Sequence, residues 1–140
     1  MSVETLPVVH VVGALIRDGS RILVTKRRAK AVFGGYWEFP GGKVELGETA
    51  AEALSRELKE ELAVRSRIGS LFQRVEMDYP TFHIRLDVFV AEIVGNPVPI
   101  GVEEVAWVDA RDLGAKRFPP ADLPIIERLV REAMADDPLN

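Results

Sequence analysis

The segment from Thr49 to Leu62 constrains the fold most strongly, because it carries the clearest helix signal in the chain. Thr49 and Glu52 have the spacing of a capping box, in which each side chain bonds the backbone N–H of the other residue. Good helix formers (Ala, Leu, Glu, Lys and Arg) fill most of the interior. The leucines of this segment lie along one side, so we expect that side to pack on a core.

Segments of alternating or β-branched apolar residues flank this helix and predict strands. We expect strands over residues 7–17, 21–27, 37–39, 68–77, 82–93 and 105–108. In the strand from Phe82 to Ile93, apolar residues alternate with His83, Arg85 and Asp87. This alternation predicts a half-buried strand with one polar side.

A last helix is expected to begin at Asp122 or Leu123, with Pro124 in its first turn. Strands therefore dominate, and the two helices lie at separate places along the chain. This arrangement predicts an α/β (α+β) fold in which helices cover both faces of a mixed sheet. The length of 140 residues suits one domain that spans positions 1–140.

The composition excludes several classes of protein. Without cysteine, the chain has neither disulfides nor a thiolate zinc site. No apolar stretch approaches the ~18 residues that a membrane span needs. Residues 1–12 lack the basic and apolar regions of a signal peptide, so we expect a cytoplasmic protein. A net charge of −4 argues against a stable nucleic-acid complex, although a divalent cation would still let the chain bind a polyphosphate.

Three glutamates of the predicted helix share one face. Each residue of a helix advances about 100°, so Glu57, Glu60 and Glu61 fall within a sector of about 100°. Like charges at this spacing repel each other, and a hard divalent cation would relieve that repulsion. The alternative interpretation is a solvated acidic face without a ligand.

The residues before the helix favour the metal interpretation. Gly41-Gly42 follows the predicted strand 37–39, at a place where the backbone must bend or approach another group closely. Glu48 precedes Arg56 by eight residues and can pair with it if the loop folds back. The arginine would then hold the carboxylates in place.

The spacing of Gly42, Glu48 and the run 56–64 (RELKEELAV) resembles the Nudix box of the Nudix hydrolases. Ala63 is the one departure, because the family has a glycine there that ends the helix. The segments 38–45 (EFPGGKVE) and 118–121 (FPPA) are similar to MutT-type members of that family. The resemblance implies an α/β/α sandwich around a mixed sheet.

The resemblance also implies the reaction and its metal. MutT-type members cleave a nucleoside triphosphate to a nucleoside monophosphate and pyrophosphate, with Mg²⁺ as the cofactor and Mn²⁺ as a possible substitute. The implied metal ligands are the Gly41 carbonyl and the side chains of Glu57, Glu60 and Glu61, and Glu57 is also implied to take a proton from the attacking water.

Two further features of the site follow from the same resemblance. Glu48 is expected to pair with Arg56 as a scaffold. Many members use one more acid from outside the box, and Glu104 is our candidate here, with Glu103 as the alternative. Both could equally be solvated loop carboxylates.

The substrate contacts are implied less directly. Lys43 and Arg28 could face the phosphates, and Arg28 could equally be the solvated end of a strand. Phe39 is a candidate substrate contact because it lies in the EFPGG segment. Tyr79 occupies the position of an aromatic residue that stacks on the base, and its alternative interpretation is a turn tyrosine packed on Pro80.

Asp122 stands where a member that acts on oxidised guanine carries asparagine. An ionised aspartate only accepts hydrogen bonds, whereas a protonated one also donates. Aspartate here is similar to members that prefer cytosine nucleotides, and the alternative interpretation is a helix N-cap. His10 and His83 are expected to be packed or surface residues of strands rather than ligands.

The leading hypothesis is therefore sanitation of the nucleotide pool, with 8-oxo-dGTP or a modified cytosine nucleotide as substrate. The second hypothesis is a Nudix hydrolase for ADP-ribose or a dinucleoside polyphosphate. The third is a non-catalytic regulator that binds nucleotides. In each case the partner is a small molecule, without a membrane, and the chain is expected to act as a monomer or a homodimer.

Overall fold

The computed structural model describes residues 5–136, so positions 1–4 and 137–140 of the expected domain lie outside the described residues. The strands are β1 (Val8–Leu15), β2 (Arg17–Asp18), β3 (Arg21–Lys26), β4 (Trp37–Glu38), β5 (Gly41–Lys43), β6 (Arg65–Asp78), β7 (His83–Val94) and β8 (Glu104–Asp109). The helices are α1 (Ala50–Leu62) and α2 (Leu123–Ala135). Two short 3-10 turns, Ala110–Ala115 and Pro120–Asp122, lie between β8 and α2. No helix within residues 5–136 is long and apolar enough to cross a membrane.

The strands form two sheets. The first has the order β5-β1-β7-β6, with β1 parallel to β7 and the other pairs antiparallel. The second is antiparallel and is built around β3, which pairs with β2, β4 and β8. The predicted mixed sheet is therefore confirmed, and the second sheet is an addition that alternation alone did not separate from it.

Each helix covers its own apolar core. Alternate residues of β3 point to opposite sides: Leu23 packs in the core under α1, whereas Ile22 and Val24 pack in the core under α2. All three side chains are completely buried. Strands therefore lie between the two helices, as the predicted fold requires.

The capping box predicted for α1 is present. The Glu52 N–H donates to Thr49 Oγ1 at 3.1 Å, and the Thr49 N–H donates to Glu52 Oε1 at 3.3 Å. The helix ends at Ala63, which has left-handed backbone angles (φ 55°, ψ 36°) and donates its N–H to the Lys59 carbonyl. The alanine therefore makes the turn that glycine makes in the family's pattern.

Because Ala63 adopts a conformation that glycine tolerates better, Ala63→Gly should stabilise the protein by up to about 1 kcal/mol. The urea midpoint of unfolding measures this change. The matched control is Ala51→Gly, at an exposed position inside α1, which should cost about 1 kcal/mol. An unchanged or lower midpoint for Ala63→Gly would contradict the left-handed helix end.

Asp87 corrects one expectation about β7. The alternation placed it on the polar side of the strand with His83 and Arg85, yet Asp87 is 2% exposed. Arg74 donates two hydrogen bonds to its carboxylate, at 2.7 and 3.0 Å, and His10 Nε2 lies 2.8 Å from it. Burial tends to raise the pKa of Asp87, but these partners outweigh it and hold that pKa below its usual value. A buried carboxylate is acceptable here because its neighbours on β1 and β6 pair with it.

Candidate active site

A cavity of about 660 Å³ opens where the two sheets meet. Residues of β1, β5 and β7 line it from the first sheet, and Glu38 of β4 and Arg27, which follows β3, line it from the second. The acidic residues on its lining are Glu38, Glu45, Glu57, Glu61 and Asp122. The remaining lining is largely apolar, so the cavity combines an acidic part with a surface suited to a flat organic group.

Arg56 holds the acidic part together. Its guanidinium donates two hydrogen bonds to Glu48, at 2.7 and 3.0 Å, and one to Glu57 at 2.9 Å. It also donates to Glu60 at 3.2 Å and to the Lys43 carbonyl at 3.1 Å. The hydrogen bonds from Arg56 lower the pKa of Glu48. One arginine therefore ties α1 to the loop before it and to β5, and the structure contains the Glu48–Arg56 pair that the sequence suggested.

Glu57 lies directly against β5. A Cβ atom added to Gly42 would be 2.4 Å from Glu57 Cδ, so only glycine leaves room for this carboxylate. Burial raises the pKa of Glu57, and the contacts with Arg56 partly offset that rise. The sequence marked Gly42 as a place of close approach, and the group that approaches it is Glu57.

Glu61 is the most perturbed carboxylate on α1. Burial, followed by the charges of Glu38 and Glu57, raises its pKa to about 8. Its Oε2 atom is buried and has no hydrogen-bond partner. A buried oxygen without a partner costs free energy unless a ligand satisfies it. This orphan oxygen beside a second carboxylate is what a hard divalent cation requires.

The predicted metal ligands are not all in one place. Glu57, Glu61 and Gly41 line the cavity, whereas the Glu60 side chain is 59% exposed and bound to Arg56. Within residues 5–136, no three acidic or histidine side chains are arranged to hold an ion as they stand. The residues present nevertheless fit a divalent cation, because Glu57 and Glu61 combine like charge, burial and an unpaired oxygen.

Sequence reasoning missed Arg27 and Glu38. The Arg27 guanidinium donates to Glu38 Oε2 at 2.6 Å and to the Val32 carbonyl at 2.7 Å, and both side chains line the cavity. Burial raises the pKa of Glu38, although Arg27 opposes the rise. A signal was available for Glu38, which begins the segment 38–45, whereas Arg27 follows the last residue of β3, where strand alternation no longer applies.

The other predicted residues fall both inside and outside the cavity. Lys43 and Phe39 line it, but Arg28 donates to the Ile100 carbonyl and is not among the lining residues. Glu104 is 59% exposed and lies 3.7 Å from Lys26. Neither Glu104 nor its neighbour at position 103 lines the cavity.

Asp122 and Tyr79 line another part of the same cavity. Asp122 is 8% exposed, and burial, followed by the charge of Glu38, raises its pKa to about 8. The Phe39 N–H donates a hydrogen bond to it. Asp122 stands at the cap position of α2, but its side chain makes no capping hydrogen bond, so the N-cap interpretation is wrong. Burial also raises the pKa of Tyr79, whose hydroxyl is hydrogen-bonded to the backbone of Ala121.

Comparison with known proteins gives a consistent result. The model of the NUDIX domain matches residues 7–129. An 8-oxo-dGTP diphosphatase of Escherichia coli is 37% identical to this chain, over 86% of this chain and 94% of that protein. A CTP pyrophosphohydrolase of the same organism is 30% identical, over 87% and 91%. The crystal structure of the MutT protein from Methanosarcina mazei superposes with a TM-score of 0.81 at 27% identity, over 94% of this chain and 98% of that one.

Proposed function

Because the chain belongs to the NUDIX domain family and is a Nudix hydrolase, we propose that it hydrolyses a modified nucleoside triphosphate to a monophosphate and pyrophosphate. The observation that carries this proposal is one cavity that joins the Glu57–Glu61 pair to Asp122. The first two groups suit a cation and phosphates, and the third suits the edge of a base. Oxidised guanine and modified cytosine triphosphates are the substrates we propose, because relatives are named for 8-oxo-dGTP and CTP. We expect a monomer or a homodimer without a stable nucleic-acid complex.

Nudix hydrolases use a divalent metal, and we assign Mg²⁺, with Mn²⁺ as a substitute, to this site. Glu57, Glu61 and the Gly41 carbonyl would hold it, with Glu60 completing the set once released from Arg56. Bound there, the cation supplies positive charge for the phosphoryl oxygens. Glu61 favours this assignment most, because its orphan oxygen then gains a partner.

The protein's own residues position the substrate and move the proton. Glu57 accepts the proton of the attacking water, for which a positioned carboxylate is sufficient. Arg56 fixes the Glu57 carboxylate by a direct hydrogen bond. Lys43, on the cavity lining, places its charge near the phosphates.

Asp122 is the residue we assign to the base. With its pKa near 8 it carries a proton at neutral pH, so it donates one hydrogen bond and accepts another. The Phe39 N–H donates to this carboxyl group and holds it in position. The protonated carboxyl group can bond a base edge that presents both donors and acceptors, which cytosine and oxidised guanine do.

A panel of substrates tests the proposal directly. Purified protein with Mg²⁺ is given canonical nucleoside triphosphates, 8-oxo-dGTP, 5-hydroxy-CTP, ADP-ribose and a dinucleoside polyphosphate, and each kcat/KM is measured. We expect pyrophosphate and a monophosphate from the modified triphosphates at the highest kcat/KM. Turnover of ADP-ribose or the dinucleotide alone would refute the proposal, and tight nucleotide binding without turnover would favour a regulator.

Asp122→Asn should change the ranking of substrates within that panel. Asparagine donates and accepts at every pH, whereas Asp122 loses its donor proton as the pH rises through about 8. We expect the ratio of kcat/KM between guanine and cytosine substrates to shift by about tenfold. In the wild type this ratio should also change between pH 7 and pH 9, and in the variant it should not.

The control for this variant is Asp112→Asn, which makes the same chemical change at an exposed position outside the cavity. It should leave the ranking and its pH dependence as in the wild type. If Asp122→Asn also leaves the ranking unchanged, Asp122 does not read the base.

A further inference from the structure

The loop between β3 and β4 closes on itself beside the cavity. It comprises residues 28–35, and we call it the aromatic loop. The Arg27 N–H donates to the Tyr36 carbonyl at 2.9 Å, and the Gly35 N–H donates to the Arg27 carbonyl at 3.1 Å. These bonds join the two ends of the loop, so it is a compact excursion from the strands rather than a loose connection.

Phe33 is held in this loop with an unfavourable backbone conformation. Its φ of 56° lies in the left-handed region, which is a genuine outlier for a bulky side chain. The Phe33 carbonyl accepts from the Tyr36 N–H at 3.0 Å, and the next residue, Gly34, donates to the Ala31 carbonyl at 2.9 Å. Gly34 also lies so close to Ala29 that a Cβ there would be 2.2 Å from the carbonyl oxygen. Strain of this kind persists where the surroundings fix it, and it concentrates at ligand-binding sites.

Arg27 connects the aromatic loop to the acidic part of the cavity. Its Nε donates to the Val32 carbonyl at 2.7 Å, and its Nη1 donates to Glu38 Oε2 at 2.6 Å. One guanidinium thus fixes the residue before Phe33 relative to a carboxylate on the cavity lining. The hydrogen bonds of Arg27 to Val32 and Glu38 therefore fix the position of Phe33 relative to the cavity.

The side chain of Phe33 completes an aromatic surface. Its ring centroid is 6.2 Å from that of Tyr79, and Tyr79 is 4.9 Å from Phe82. At these separations neighbouring rings touch each other, so no base fits between them. All three side chains line the same cavity as Asp122. Together they form one continuous wall, which we call the aromatic wall.

We propose that Phe33 is a substrate-binding residue whose ring, next to that of Tyr79, forms part of the wall against which the nucleobase packs. This inference rests on the proposed function and deepens it. A base has polar edges and apolar faces. If Asp122 bonds its edge, the face needs an aromatic surface, and stacking of this kind tolerates different bases. The strained, closed loop presents that surface before the substrate arrives, which lowers the entropic cost of binding.

The test compares Phe33→Leu with Phe33→Tyr. Leucine keeps an apolar side chain and faces the same backbone strain, whereas tyrosine keeps the ring. Binding of GMP, CMP and ribose 5-phosphate is measured by NMR titration, which registers weak binding and needs no turnover. Phe33→Leu should raise the Kd of both nucleotides about tenfold. It should not change the Kd of ribose 5-phosphate, which has no base.

Turnover gives an independent measurement. Phe33→Leu should raise KM for nucleoside triphosphates about tenfold and change kcat by less than about threefold, because stacking is equal in the ground and transition states. Phe33→Tyr should match the wild type in both constants. The control is Lys30→Ala, at an exposed residue of the aromatic loop outside the cavity, which should leave all constants unchanged.

Three results would overturn the inference: unchanged nucleotide affinity in Phe33→Leu, an equal loss of ribose 5-phosphate affinity, or an equal loss in Phe33→Tyr. If the wild type binds nucleotides and Phe33→Leu binds them equally well, this inference alone is refuted. A wild type that neither binds nucleotides nor cleaves nucleoside triphosphates refutes the proposed function and this inference together.

Discussion

Replacing Glu57 by glutamine should lower kcat by about 10²–10⁴-fold while the fold remains intact. The glutamine oxygen can still accept the hydrogen bond from Arg56 Nη1, which spans 2.9 Å in the wild type. The amide has nearly the same volume as the carboxylate, so the close approach to Gly42 is also preserved. What the variant loses is the negative charge and the ability to accept a proton. Steady-state kinetics with the preferred triphosphate measures the loss, and circular dichroism and Tm establish that the fold is kept.

A charge-matched control separates a local effect from a general one. Glu127→Gln makes the same change at an exposed position on α2 outside the cavity, and it should keep wild-type kcat and KM. If Glu57→Gln retains near-normal turnover, Glu57 is neither the base nor an essential ligand. If its Tm falls by more than a few degrees, the loss of activity no longer identifies a chemical role.

Glu61→Gln should have opposite effects on activity and on stability. The orphan Oε2 of Glu61 is our strongest indication of a metal ligand, so the substitution should reduce kcat/KM by about 10²-fold, a typical loss when metal coordination is disturbed. In the metal-free protein, however, the same substitution removes a buried carboxylate that burial and two neighbouring acids destabilise. The metal-free variant should therefore be more stable than the metal-free wild type at pH 8, by about 1 kcal/mol.

The pH dependence of this gain has a definite sign. The pKa of Glu61 is raised from 4.5 to about 8 in the folded protein. Between these values the folded state binds more protons than the unfolded state, so this group makes the wild type less stable as the pH rises. The difference in free energy of unfolding between variant and wild type should thus be small near pH 5 and largest above pH 8.

Urea unfolding with and without Mg²⁺ measures both parts of this prediction. Mg²⁺ should stabilise the wild type by mass action and stabilise Glu61→Gln much less. The control is Glu92→Gln, at an exposed position of β7, which should follow the wild type at every pH and metal concentration. Equal stabilisation of the wild type and Glu61→Gln by Mg²⁺ would exclude Glu61 as a ligand.

The sequence predicted best those features that depend on neighbours along the chain. The capping box of α1 and the pairing of Glu48 with Arg56 involve residues at most eight positions apart. Local spacing therefore contains almost all the information that these features need. Ala63 is the exception: its left-handed turn is present although local preference favours glycine.

Features that depend on packing between distant strands were predicted less well. Asp87 is buried because Arg74 and His10 reach it from the strands on either side, and alternation along β7 contains no information about them. Arg27 rather than Arg28 lines the cavity, because Arg27 bonds Glu38 of β4 whereas Arg28 bonds the Ile100 carbonyl. These outcomes follow from how strands pair across the sheet, which composition and periodicity do not determine.

The parallel pairing of β1 with β7 has a consequence for the order in which the protein folds. This pairing joins residues 8–15 to residues 83–90, so a loop of more than 60 residues must close before it forms. Contacts of such high sequence separation slow folding, whereas a capped helix such as α1 forms on a much shorter timescale. The carboxylates of α1 can therefore be placed on one helix face early, whereas the cavity forms only after the chain has returned from the hairpin of β6 and β7. A nascent chain released before β7 is complete would carry α1 without the cavity.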